Sequence, residues 1–99
     1  MSQTLIAAAT GAVNSAMIKV THEPVTLVVT GTQVAAENFD VAHSTDGGTT
    51  FTDLYQDGAQ VRMSSTNSSV TIYGPGIYRV EKEATTNACG LIMSTVGKP

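Results

Sequence analysis

The sequence predicts an all-β chain: an antiparallel β-sandwich, jelly-roll-like, of about eight short strands. Runs rich in Val, Ile, Thr and Tyr recur about every 8–12 residues, which is the spacing of a sandwich or barrel. The stretches between them hold Gly, Pro, Asn or Asp, residues that accept the backbone angles of tight turns. Apolar residues at the 3.6-residue period of a helix are nearly absent.

Residues 1–14 are the least determined. The stretch from Leu5 to Val13 is rich in Ala, but Gly11 and the β-branched residues after it argue against a helix. Two readings remain: a first strand that completes the chain's own sheet, or an apolar, uncharged arm that docks on another chain through Leu5 and Ile6. Residues 15–99 then form a single β-sandwich domain. Its strands are expected at 15–20, 25–30, 38–43, 50–55, 60–63, 69–73, 77–82 and 89–95. The run Val25-Thr26-Leu27-Val28-Val29 is the most continuously apolar, which suits a central strand or one covered by a neighbouring subunit. In Ile77-Tyr78-Arg79-Val80-Glu81-Lys82 the alternation sends Tyr78, Val80 and Lys82 to one face, apolar except at its end. The expected core is Phe39, Val41, Leu54, Val61, Ile72, Val80 and Ile92.

Composition limits the function. The chain has 99 residues, is 41% hydrophobic and only 13% charged, where an average soluble domain carries about 25% charged residues. Its 15 Thr and 8 Ser give a neutral, polar surface. A net charge of −3, with basic residues scattered, argues against phosphate-driven nucleic-acid binding. The lone Cys89 cannot close an intramolecular disulfide, which fits folding in a reducing cytoplasm. The apolar N-terminus lacks the basic region of a signal peptide, and no segment reaches the roughly 20 apolar residues of a membrane helix.

The sharpest local pattern is Ser44-Thr45-Asp46-Gly47-Gly48-Thr49-Thr50-Phe51. It resembles the Asp-box of sialidase-type propellers, S-x-D-x-G-x-T-W, with Phe51 in place of Trp. The resemblance implies a folding motif: the Asp46 carboxylate accepts turn amides, Gly48 allows positive φ and the aromatic packs beneath a hairpin. A propeller needs several blades of about 40 residues, which this chain cannot supply. A catalytic reading of His43, Ser44 and Asp46 is set aside. Neighbours in a strand point to opposite faces, and no G-x-S-x-G elbow is present. A zinc site would have to gather His22, His43 and Cys89 from distant segments, so neither metal nor cofactor is expected. Gly74-Pro75-Gly76 suits a type II turn, with Tyr73 and Tyr78 flanking it as a cross-hairpin pair or as part of a sticky surface.

Taken together, the segment 44–51, then Gly74-Pro75-Gly76-Ile77-Tyr78-Arg79-Val80-Glu81-Lys82, then a closing apolar strand resemble small virion proteins of tailed bacteriophages, the β-sandwich decoration or cement proteins of the capsid exterior. The resemblance spans residues 20–95. It implies a non-enzymatic structural protein, made in the host cytoplasm and carried on the virion. Its partners would be the major capsid protein and copies of itself in a homo-oligomer, with neither nucleic acid nor membrane. The alternative is a carbohydrate- or receptor-binding module of a phage tail or fibre, although the chain has no Trp for a sugar platform.

Overall fold

The computed structural model describes residues 2–21, 23–35 and 37–95, and every regular element among them is a strand. In chain order these are β1 (Ser2–Ala9), β2 (Val13–Asn14), β3 (Ile18–Val20), β4 (Val25–Thr30), β5 (Phe39–Ser44), β6 (Thr52–Asp53), β7 (Tyr55–Gln56), β8 (Ala59–Gln60), β9 (Arg62–Met63), β10 (Ser69–Ile72), β11 (Gly76–Lys82) and β12 (Cys89–Thr95). One sheet runs β1-β12-β4-β10. The other is centred on β11 and β5, with β2 and β3 lying end to end along β11, and β6 and β9 along β5.

Counting each interrupted edge as one strand gives eight, ordered 1-8-3-6 in the first sheet and 2-7-4-5 in the second. The pairs 1-8, 2-7, 3-6 and 4-5 are those of one long antiparallel hairpin whose two arms are wound together. The contacts β12·β4 and β11·β5 stitch the winding shut. The result is the antiparallel sandwich predicted from strand spacing, and the apex of the wound hairpin is the segment 44–51.

The two sheets enclose one apolar cluster, fed from both by period-2 alternation. β4 contributes Val25, Leu27 and Val29; β5 contributes Phe39 and Val41; β11 contributes Tyr78 and Val80. Five of the expected core residues, Phe39, Val41, Val61, Ile72 and Val80, are buried. Two are corrected. Leu54 is half-buried at the margin, where the edge of β5 breaks and its N–H donates to Val41 O at 2.9 Å. Ile92 lies on the outer face opposite Val28, and Leu91 fills the core instead. β12 is apolar on both faces and carries Gly90, so its sequence holds no alternation from which to read the parity.

Lys82 turns inward at the end of β11, as its parity requires, and is only 3% exposed. Its stem lies among apolar groups and its ammonium donates to Gly11 O at 2.6 Å and Glu83 O at 3.3 Å. Of the two readings of the N-terminus, the structure takes the strand: β1 pairs with β12, placing Ile6 opposite Leu91. Gly90 permits that approach. A Cβ there would meet Ile6 O at 2.5 Å and Ala8 N at 2.9 Å.

Candidate interaction surface

The apex loop is held from within. Asp46 Oδ1 accepts from Ser44 Oγ at 2.7 Å, Thr50 N–H at 2.9 Å and Thr49 N–H at 3.1 Å. Ser44 Oγ in turn accepts from Gly48 N–H at 2.8 Å. Gly47 and Gly48 take φ of 81° and 102°, a region that a side chain disfavours. The Thr50 amide, with the Ser44 hydroxyl, lowers the Asp46 pKa from 3.8 to about 2. Phe51 closes the loop half-buried, with the Arg79 guanidinium 4.3 Å from its ring centre. The Ser44 hydroxyl is therefore committed to the turn, while His43 Nε2 lies 3.5 Å from Thr52 Oγ1.

The Gly74-Pro75-Gly76 segment is corrected. β10 and β11 belong to different sheets, so it is a corner between layers and Tyr73 and Tyr78 do not pair across a hairpin. Gly76 has φ 153°, well away from the roughly +80° of a type II turn, and opens β11 opposite Val20. Tyr78 packs into the core at 8% exposure, and its hydroxyl donates to Gly74 O at 3.0 Å. The four expected interface residues thus divide: Ile6 and Tyr78 are spent inside the molecule, Leu5 is half-buried against the core, and Tyr73 is 71% exposed.

Charge is segregated between the sheets. None of the residues in β1, β4, β10 and β12 is charged. Their outer face presents Thr4, Thr26, Val28, Ser69, Thr71 and Ile92, with Thr26 and Thr71 hydroxyls 3.1 Å apart. The second sheet carries Lys19, Asp40, Asp53, Arg62, Arg79 and Glu81 on its outer face. Arg79 pairs with Glu81 at 2.9 Å. Arg62 Nε lies 3.0 Å from Asp40 Oδ1 without hydrogen-bond alignment. Burial accordingly outweighs Arg62 and raises the Asp40 pKa. Nothing in the sequence alone marks this division, because only the strand order assigns the uncharged runs to one sheet.

Sequence reasoning missed a clamp on the loops at one end. Glu37 Oε2 accepts from Thr86 Oγ1 at 2.7 Å and Thr86 N–H at 2.9 Å, while Oε1 accepts from Val34 N–H at 3.2 Å. The Thr86 hydroxyl is the main cause of a lowered Glu37 pKa. Nothing in the local sequence marks a pair 49 residues apart.

Two depressions lie where the sandwich opens. One, about 310 Å³, is lined by polar groups that include Gln56, Gln60, Arg62 and Asn67. The other, about 330 Å³, runs between β1 and β2 and is lined by Leu5, Ile6, Ala7, Ala9, Ala12 and Val13 among others. Among the described residues no three His, Cys, Asp or Glu side chains gather closely enough to hold a metal ion. Cys89 is buried, its thiol 3.4 Å from Thr32 O, and His22 lies outside the described residues. No known protein family, curated protein or solved structure matches the chain.

Proposed function

We propose that the chain is a structural virion protein of a tailed bacteriophage, a capsid decoration or cement protein that binds the assembled head and stabilises it by self-association and by bridging capsomers. The observation that carries this reading is the uncharged outer face of the β1-β12-β4-β10 sheet. A row of Thr and Ser interleaved with Val28 and Ile92 buries against a partner without desolvating a charge, the costly step in forming an interface. The charges on the opposite sheet keep the other side wet. The resemblance of 44–51 and 74–82 to phage decoration proteins points the same way.

A cement of this kind works by mass action. Each copy binds the assembled lattice and not the dispersed subunits, so occupancy shifts the equilibrium toward the lattice. The partners in this reading are the major capsid protein and further copies of the chain, with no catalytic step and no cofactor.

The second reading, a carbohydrate- or receptor-binding module of a tail or fibre, is favoured by the polar depression. Gln56, Gln60 and Asn67 present amides that can bond vicinal hydroxyls, and Tyr55 on the β7–β8 hairpin is 60% exposed. Sedimentation with undecorated heads separates the two. Saturable co-pelleting supports the cement reading; a chain that stays in the supernatant yet is retained on a glycan array supports the recognition module and overturns it.

A further inference from the structure

Four aspartates stand in the chain, and two of them, Asp46 and Asp57, are followed by glycine. Glycine there removes the side chain that otherwise hinders the next backbone nitrogen from reaching the aspartate's own carboxyl carbon. In sequence the two steps are equals, and their glycines are equally open: Gly47 and Gly58 have φ of 81° and 80°, and a Cβ on either would meet nothing within 4 Å. The carboxylates differ. Asp46 Oδ1 holds three donors, and the Gly48 amide beside it donates to Ser44 Oγ, so the apex turn fixes both the carboxyl group and the backbone around it. The Asp57 carboxylate is exposed and makes no hydrogen bond or ion pair among the described residues. Among those residues Asp57 is also the one non-glycine with positive φ, 54°, a region its side chain disfavours. It lies at the tip of the β7–β8 hairpin, a separate two-stranded sheet closed by the pairs Tyr55–Gln60 and Gln56–Ala59 outside the apolar core. Such a hairpin opens locally at little cost.

We infer that Asp57 is a site of spontaneous isomerisation to isoaspartate, and that Asp46, in the same Asp-Gly context, is protected by its turn. When the hairpin opens, the Gly58 backbone nitrogen attacks Cγ of the neutral Asp57 acid. A C–N bond forms, the carboxyl C–O bond breaks, and the hydroxyl leaves as water with the amide proton, closing a five-membered imide. Water then adds back at either ring carbonyl. Addition at Cγ restores aspartate; addition at the main-chain carbonyl leaves the chain running through Cγ, which is isoaspartate. Water is lost and regained, so the step needs no oxidant, enzyme or partner and does not depend on the cement reading. Asp46 is held back because its carboxyl is anchored to the amides of Thr49 and Thr50 instead of being free to turn toward Gly47. With a pKa of about 2 it is also almost wholly ionised at mildly acidic pH, where the reactive form is the neutral acid. Isoaspartate puts an extra methylene into the main chain of a two-residue loop, which spoils its type I′ geometry. Gln56, Asp57 and Gln60 line the polar depression, so the reaction reshapes that rim while the core of the sandwich keeps its contacts.

The test ages the full chain for weeks at about pH 5, where an ordinary aspartate is still partly protonated, and maps it with chymotrypsin, which cuts after Phe51 and so separates the two sites. The peptide holding Asp57 should resolve into two species of equal mass, with fragmentation placing isoaspartate at 57, while the peptide holding Asp46 accumulates several-fold less. Deamidation of an asparagine is told apart by its mass change. A chain aged in urea should lose the difference, both Asp-Gly steps reacting at one rate, because only the folded turn protects Asp46. Ser44→Ala, which removes one donor from Asp46 and frees the Gly48 amide, should raise isoaspartate at 46 in the folded chain. If that variant does not fold, the comparison of folded and urea-treated wild type carries the test alone. Equal accumulation at 46 and 57 in the folded chain, or none at 57 where the urea-treated chain reacts, overturns the inference. A difference that persists undiminished in urea overturns it too, since its cause would then lie in the sequence and not in the turn.

Discussion

Asp46 gathers three donors onto one oxygen at the apex of the wound hairpin, and its acidity records that. With a folded pKa of about 2 against an ordinary 3.8, the carboxylate adds stability that is fully present above about pH 4 and is lost as pH falls through about 2. Thermal unfolding of wild type and Asp46→Asn across pH 2–5 should therefore show curves that converge toward acid and separate above about pH 4, with wild type the more stable. Parallel curves would mean that the turn network contributes nothing. Phe39 is fully buried between the sheets, and Phe39→Ala should cost about 3–5 kcal/mol in denaturant unfolding, close to the whole stability of a small domain. The turn was legible because S-x-D-x-G-x-T states its own hydrogen bonding within eight residues. The Glu37–Thr86 clamp was not, because its partners meet only after the chain has folded.

At the level of elements, legibility followed alternation. β5 and β11 alternate clearly, and their inward faces agree with the structure down to buried Lys82, whereas the run 25–29 reads as continuously apolar and only the structure turns Val25, Leu27 and Val29 inward. β12 does not alternate, so the expectation for Ile92 fell one residue away from Leu91. The edges of the second sheet were read as ordinary strands because nothing in 50–63 announces that the Asp57-Gly58 turn loops out of the edge. That turn is a two-residue hairpin with both φ positive, 54° and 80°, a type I′ form set by the Asp-Gly pair itself. β1 depends on Gly90 having no side chain. Gly90→Ala should lift β1 off β12, costing about 1–3 kcal/mol and speeding amide exchange in β1 while the exchange of β4 hardly changes. Unchanged protection of β1 would show that the close approach is not what seats it.

At the scale of the whole molecule, an accessible surface of 5437 Å² is close to the roughly 5,400 Å² expected of a compact monomer of this mass. The chain closes its own core, so small size alone does not call for a partner. In the proposed reading the case for one is the distribution of charge: among the described residues one sheet carries all the charged strand residues and the other carries none. Composition reported the scarcity of charge, and only the winding of the hairpin sorted it into faces. The most direct test of this account places a charge on that face. Wild type and Val28→Glu, matched for fold by circular dichroism, are mixed with undecorated phage heads and pelleted. The account predicts that wild type co-pellets saturably and Val28→Glu stays in the supernatant; wild type left in the supernatant, or both chains pelleting alike, would contradict it.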